Sequence, residues 1–272
     1  MLDSLLDQLA RDPAADVDLA AVALWLAADE YPDLDPSVYL RRLDALADRA
    51  RPVLVGDLPE QVAGLSHFLF DDEGFRGNAA DYYDPRNSYL NDVLDRKAGI
   101  PITLSVVAVA VGRRAGLEVV GAGLPGHFIA KAVRGGQEVL FDPFHGGQIL
   151  TPAECEELIE TVTGRPLAVT PELLAATPPG HIVARMLNNL RGIYAAREDW
   201  GRVVRVLGRL RQLDPRDPDL RRDLGAALVR GGKPGPAIDH LKAYLATAPD
   251  AADADEVKRI LARAVADVAR WN

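Results

Sequence analysis

Cysteine, excess positive charge and long apolar runs are scarce or absent in this chain of 272 residues. Its single cysteine, Cys155, excludes an internal disulfide and any cysteine-rich zinc site. The formal net charge of −9 disfavours binding to nucleic-acid phosphates and to anionic membrane surfaces. No apolar run reaches the roughly 18–20 residues of a membrane-spanning helix. We therefore expect neither a nucleic acid nor a membrane as a partner.

The N-terminal segment is acidic and lacks the basic and apolar regions of a secretory signal peptide. Without such a signal, we expect a cytoplasmic protein. The composition, with 48% hydrophobic and 26% charged residues, is typical of a folded globular chain.

Residues 1–70 have a helical pattern. Apolar residues recur at helical spacing up to Pro32, whose ring ends a helix. Pro36 then opens a second helix, with Asp35 as its expected N-cap. A further helix is predicted over Leu58 to Phe70. These helices form a predicted helical N-terminal region.

Residues 71–165 mix helix and strand, which predicts an α+β core. A nearly all-apolar helix is expected over Ile102 to Ala115, and Thr151 is expected to cap a later helix. The pair Gly135-Gly136 is typical of a two-residue hairpin turn. The strands of the predicted small antiparallel sheet cover Leu117 to Ala122, His127 to Val133 and Glu138 to Asp142.

Residues 180–272 are helical and internally repeated. A shift of 34 residues, the tetratricopeptide period, aligns Leu190 with Leu224 and Pro215 with Pro249. Each repeat would be two antiparallel helices, and Glu256 to Trp271 is predicted to form a further one. The alternative is an ordinary helical bundle in which the spacing is accidental.

His127 and Asp142 are the candidate catalytic base and its orienting carboxylate. A histidine base needs an orienting carboxylate, and a Gly135-Gly136 turn places His127 and Asp142 diagonally on the same face of a hairpin. The structural alternative is a core histidine bonded to a carbonyl, with Asp142 serving as an N-cap before Pro143.

A nucleophile for this pair is expected at the N-terminus of the buried helix, where the helix dipole stabilises an anion. No cysteine stands there, so the hydroxyls of Thr103 and Ser105 are the candidate nucleophiles. Hydroxyls in the first turn of a helix more often bond the backbone. Cys155 lies in an acidic helix, whose carboxylates are expected to raise its pKa and make it unreactive.

His145 stands three residues after Asp142 and either joins the site or is simply exposed in the Gly-Gly turn. Arg86 and Asn87 either line the binding cleft or brace the turn before the buried helix, and bracing is favoured for Asn87. No short metal-ligand motif and no dinucleotide-binding glycine spacing occurs. We therefore expect no metal and no cofactor.

Several long segments form recognisable motifs: FRGN, YYDPRNSYLNDVLDRKAGIPITLS, GLPGHFIAK, DPFHGG and ARMLNNLRGIY. These motifs resemble the bacterial SirB family of transglutaminase-like proteins with C-terminal repeats, and ALWLAADEYPDLD resembles that family's N-terminal segment. The resemblance covers nearly the whole chain. It implies a transglutaminase-like core related to papain-like folds, between a helical N-terminal region (1–70) and tetratricopeptide repeats (180–272).

The resemblance also assigns the residues of a thiol-enzyme triad. Its histidine corresponds to His127 and its aspartate to Asp142, whereas the cysteine position falls near Pro101 to Thr103 and holds none. The sequences of this family resemble the present chain in having G-I-P-I-[ST]-L-S at that position. The resemblance therefore implies neither thiol-enzyme activity nor an established reaction.

These observations favour a non-catalytic transglutaminase-like protein, a pseudoenzyme that binds a protein or peptide through its core cleft and its repeats. The alternative is a hydrolase or acyl transferase that uses Thr103 or Ser105 with His127 and Asp142. A third hypothesis is a purely regulatory role without small-molecule binding, as the family's name suggests. The sequence leaves the question of catalysis open.

Overall fold

The computed structural model describes residues 1–270 and divides them into two compact units. The first unit contains residues 1–5 and 13–186, and the second contains residues 6–12 and the chain from residue 187 onward. Mixed helices and strands in the first unit and helices alone in the second confirm the predicted α+β class. None of the helices formed by residues 1–270 has the length and apolar character needed to cross a membrane.

The helices before the core follow the predicted stop and start signals. At the start of α3 (Pro36–Ala50), Asp35 accepts a hydrogen bond from the Ser37 amide at 2.9 Å, as an N-cap does. The predicted helix over Leu58 to Phe70 is α4 followed by a π-helical turn that reaches Asp72. The helices up to this point are α1 (Leu2–Arg11), α2 (Leu19–Glu30), α3 (Pro36–Ala50) and α4 (Leu58–Ser66).

The first unit contains a four-stranded antiparallel sheet. Its strands are β3 (Val119–Leu124), β4 (His127–Arg134), β5 (Gln137–Asp142) and β6 (Gln148–Leu150), which pair in that order. The β4–β5 hairpin has the predicted register, with Arg134 opposite Gln137 across the Gly135-Gly136 turn. The two-residue strands β1 (Arg76–Gly77) and β2 (Ala98–Gly99) pair in parallel, apart from the main sheet.

The predicted strand Leu117 to Ala122 is wrong by two residues at each end. The observed strand β3 begins at Val119 and continues to Leu124, which pairs with His127. Pro125 and Gly126 therefore form a second tight hairpin turn directly before His127. A side chain on Gly126 would meet Val162 at 2.6 Å, and its φ of +71° is a conformation that favours glycine. Strand β6 has no counterpart in the prediction, because three residues are too short to show alternation.

A buried helix packs against this sheet. Helix α6 (Pro101–Ala115) begins one residue earlier than predicted, and the residues of its first two turns are all buried. The remaining helices of the first unit's core are α5 (Leu90–Arg96) and α7 (Pro152–Thr163), and Thr151 caps α7 as predicted. The apolar surface between α6 and the sheet is the main hydrophobic core, which fixes the positions of the residues discussed below.

The second unit contains the repeated helices. Helix α8 (Pro179–Ala196) leads into it, followed by α9 (Trp200–Leu213), α10 (Pro218–Arg230), α11 (Pro234–Thr247) and α12 (Ala254–Ala269). A side chain on Gly225 would meet Leu241 at 2.7 Å, which explains a small residue where α10 and α11 approach. The predicted last helix is α12, but Trp271 lies outside the described residues.

Candidate functional site

The structure brings His127 and Asp142 together. His127 is the first residue of β4 and Asp142 the last of β5, and Nε2 of the histidine lies 2.8 Å from Oδ2 of the aspartate. Both side chains are buried, with 4% and 1% of their surfaces exposed. The diagonal placement predicted from the Gly135-Gly136 turn accounts for this contact.

Asp142 bonds more than one partner. Its Oδ1 accepts a hydrogen bond from the Phe144 amide at 2.9 Å, so it also caps the 3-10 turn Pro143–His145. Its Oδ2 lies 2.7 Å from Nδ1 of His145, whose side chain is 52% exposed. Burial by itself would raise the pKa of Asp142, but hydrogen bonds from His127 and His145 outweigh it and hold the pKa below its ordinary value. Asp142 is therefore an anion at neutral pH.

The two candidate hydroxyls are hydrogen-bonded to backbone groups. Thr103 is fully buried, and its Oγ1 donates to the Asn87 carbonyl at 2.7 Å and accepts from the Ile100 amide at 3.1 Å. Ser105, also fully buried, donates to the Phe128 carbonyl at 3.4 Å. Among the described residues, neither hydroxyl hydrogen-bonds His127. The geometry thus corresponds to the backbone-bonding alternative for both residues.

Asn87 and Arg86 lie in different environments. Asn87 is fully buried, and its amide donates to the carbonyls of Asp81 (2.7 Å) and Tyr82 (3.2 Å), so it braces the loop before α5. Arg86 is largely exposed, and its guanidinium is held by Asp84 at 2.9 Å. Only Arg86 of the two presents its side chain to solvent.

Cys155 is completely buried in α7, packed in an apolar cluster with residues of β3 to β5. Burial first, and then the negative charges of Asp142 and Glu154, raise the pKa of its thiol to about 11. The direction agrees with the sequence-based expectation. Burial, rather than neighbouring carboxylates, is the larger cause.

This pKa makes the thiol unreactive in the folded protein. At pH 8, the thiolate fraction of Cys155 is expected to be smaller than that of an ordinary thiol, whose pKa lies near 8.5, by a factor of about 100 or more. We expect iodoacetamide to modify the native chain correspondingly more slowly than the chain unfolded in urea, measured by intact mass. Equal rates in the two states would contradict the buried, raised-pKa description.

Three aromatic side chains that the sequence analysis did not single out form a chain of ring contacts that begins at the histidines. The ring centroid of Phe144 lies 6.0 Å from that of His127 and 6.1 Å from that of Tyr82, and Tyr83 packs edge-on against Tyr82. Tyr83 is 72% exposed. We call Tyr82, Tyr83, Phe144 and His145 the aromatic patch.

Arg185 of α8 is a second residue that the sequence analysis missed. Its guanidinium donates to the backbone carbonyls of Leu124 and His127, and it lies 5.4 Å from the centre of the Phe128 ring. These contacts fix the tip of the β3–β4 hairpin, where His127 begins β4. No local pattern marks this role, because the partners are backbone atoms about 60 residues earlier in the chain.

The sequence matches two family models. Residues 37–188 match the family model of the transglutaminase-like superfamily, and residues 190–262 match that of the tetratricopeptide repeat. A UPF0162 protein of Xylella fastidiosa is 35% identical over 88% of this chain and 87% of its own length. The chain belongs to the transglutaminase-like superfamily and, within it, to the UPF0162 proteins.

Other relatives extend this assignment. UPF0162 protein PA3419 of Pseudomonas aeruginosa is 32% identical over 70% of this chain and 69% of its own length. Human F-box only protein 21 is 31% identical over 49% of this chain but only 22% of its own length. No solved structure matches the chain significantly. In this transglutaminase-like chain, His127 and Asp142 are paired, and the sequence Pro101 to Thr103 contains no cysteine.

Proposed function

We propose that this protein is a non-catalytic adaptor that binds a protein or peptide through two surfaces, the aromatic patch and the repeat helices. The observation that carries the proposal is that Thr103 and Ser105 donate their hydroxyls to backbone carbonyls. The buried His127–Asp142 pair consequently has no nucleophile bonded to it among the described residues. Acyl transfer needs a nucleophile within hydrogen-bond reach of the histidine base, so this arrangement favours a binding function over acyl transfer.

The aromatic patch has the composition of a recognition surface. Aromatic residues supply large contact areas at low entropic cost and are enriched at interfaces, especially as energetic anchors. Tyr83 is mostly exposed and Tyr82 and Phe144 are partly exposed, beside the polar edge of His145. Such a surface favours an extended peptide with an apolar side chain at its centre.

The repeat helices supply the second surface. In the second unit, Arg191 of α8 pairs with Asp223 of α10 at 3.3 Å, and Arg222 of α10 pairs with Asp253, next to α12, at 2.8 Å. These ion pairs place the first helices of successive repeats side by side, as in tetratricopeptide arrays that hold a partner segment in their groove. Asn188 is exposed on α8 and lies three residues before Arg191, so the two side chains are neighbours on the helix surface.

Several finer assignments belong to the same proposal. The quoted motifs support membership of the SirB family, and we place the adaptor in the cytoplasm, in a regulatory role and without a nucleic-acid partner. The acidic balance of the chain supports the last point.

Peptide selection on the full chain tests this function. Peptides selected by display should converge on a common sequence. Tyr83→Ala should lower the affinity of the chain for a synthetic peptide that binds the patch by about 10-fold or more. Asn188→Arg should do the same for peptides that bind the repeats. Val38→Ala, which alters an exposed side chain on α3, is the matched control and should leave both affinities unchanged.

Two outcomes would count against the proposal. One is a selection that yields no common sequence. The other is a set of peptides that bind the parent chain, Tyr83→Ala and Asn188→Arg equally well.

A further inference from the structure

Three side chains with metal-ligating atoms converge at the end of β5. Nε2 of His127 and Nδ1 of His145 both lie against Oδ2 of Asp142, at 2.8 and 2.7 Å. The ligating atoms of all three residues lie within 4.8 Å of one another, and no other group of this kind occurs within residues 1–270. The two imidazole rings are nearly parallel, at 17°, with their centroids 5.8 Å apart.

We propose that His127, Asp142 and His145 bind one divalent first-row transition metal ion and leave at least one coordination position open. Two imidazoles and a carboxylate are the donor set that Zn²⁺ and Fe²⁺ share, whereas Ca²⁺ and Mg²⁺ prefer oxygen ligands alone. With metal–ligand distances of about 2.0–2.1 Å, tetrahedral ligand atoms lie roughly 3.3 Å apart. To admit the ion, each nitrogen would move about 0.5–0.6 Å away from the carboxylate oxygen. The two nitrogens, which lie within 4.8 Å of each other, would also come to roughly 3.3 Å.

Most of that movement would fall on His145. His127 is fixed on a buried strand, and the Phe144 amide orients the Asp142 carboxylate through its second oxygen, as outer-shell partners do. His145, by contrast, lies in the short 3-10 turn and is half exposed, so its ring can shift. Three protein ligands with a fourth position open to solvent are typical of metal sites that bind water or a ligand.

The turn that carries His145 is itself anchored. Ser66 donates a hydrogen bond to the Gly147 carbonyl at 3.0 Å, and a side chain on Gly147 would meet Ser66 Oγ at 2.4 Å. Gly147 also has a φ of +76°. These contacts fix where the chain leaves the turn, so the third ligand is supplied by the fold rather than by a mobile loop.

A surface cluster on the same chain provides a matched control. His67 lies 2.8 Å from Asp71 and 3.7 Å from Asp72, but all three side chains are more than half exposed. Its atoms do not converge as those of the buried site do, because the two carboxylates bond opposite nitrogens of the ring. We expect this cluster to bind no ion with useful affinity.

Metal titration of the tag-free, chelator-treated full chain tests the inference. Zn²⁺ should bind with a stoichiometry of one by calorimetry, and Co²⁺ should give visible absorption bands of a nitrogen- and oxygen-ligated ion. His145→Ala, at an exposed position, should fold normally and bind Zn²⁺ more than 100-fold more weakly, beyond the roughly 10–100-fold effect of an outer-shell change. His67→Ala should bind as the parent does.

The inference is overturned if the parent chain binds no Zn²⁺ at micromolar concentration, or if His145→Ala binds as tightly as His67→Ala. His127→Gln is a second ligand variant, and it should lose binding as well if it folds. The patch and the metal site share His145, so peptide binding is tested with Tyr83→Ala, which changes none of the three proposed ligands. A failure of the metal site is thereby distinguished from a failure of the adaptor function.

Discussion

Replacing Asn87 by alanine is expected to lower the free energy of unfolding by about 3 kcal/mol, one of the two largest effects that the structure predicts. The Asn87 amide donates to the carbonyls of Asp81 and Tyr82, and its oxygen accepts from Asn78 at 3.0 Å. Alanine removes these three bonds and a longer one, at 3.5 Å, that the Asn87 oxygen accepts from Arg96. Urea denaturation followed by circular dichroism measures the change.

Asn91→Ala is the matched control for this prediction. Asn91 is buried like Asn87, but its Oδ1 has no hydrogen-bond partner among the described residues. Its removal should therefore cost about 1 kcal/mol or less. Equal losses for the two alanine variants would show that Asn87 contributes through burial rather than through its hydrogen bonds.

The second large effect is expected for Thr103→Val, which should destabilise the protein by about 2 kcal/mol. Valine has nearly the same shape, so the cost comes from the Ile100 amide and the Asn87 carbonyl, which lose their buried partner. Ser105→Ala removes a single bond of 3.4 Å and should cost less than about 1 kcal/mol. The same denaturation measurement compares the two variants.

Thr103→Val and Ser105→Ala also distinguish a structural role of the two hydroxyls from a catalytic one. A nucleophilic threonine is selected for reactivity, and its replacement by an isosteric valine should then leave stability nearly unchanged while abolishing turnover. A stable Thr103→Val variant would contradict the bonding described here. Thr103→Ser keeps the hydroxyl and should retain most of the stability.

Local signals in the sequence were sufficient for the β4–β5 hairpin and for the N-termini of α3 and α7. Gly135-Gly136 determines the β4–β5 register, and that register explains the contact of His127 with Asp142. Asp35 and Thr151 are caps whose hydrogen bonds are formed within three residues. Elements defined by near neighbours could therefore be predicted.

Features that depend on distant packing could not be predicted in the same way. Whether Thr103 points toward His127 or toward the Asn87 carbonyl depends on how the loop before α5 packs against α6. The contact of Arg185 with the His127 carbonyl joins residues 58 positions apart. His145 was noted as a residue that could join the site, but its approach to His127 needed the fold of the turn.

The central claim is that no nucleophile of this core acts with the His127–Asp142 pair. Intact-mass and peptide-mapping measurements after treatment with a fluorophosphonate and with iodoacetamide at pH 8 test it most directly. We expect no adduct on Thr103 or Ser105 in the native chain, and far slower modification of Cys155 than in the unfolded chain. A stoichiometric adduct on Thr103 or Ser105 that disappears in His127→Ala would contradict it and establish a hydroxyl enzyme.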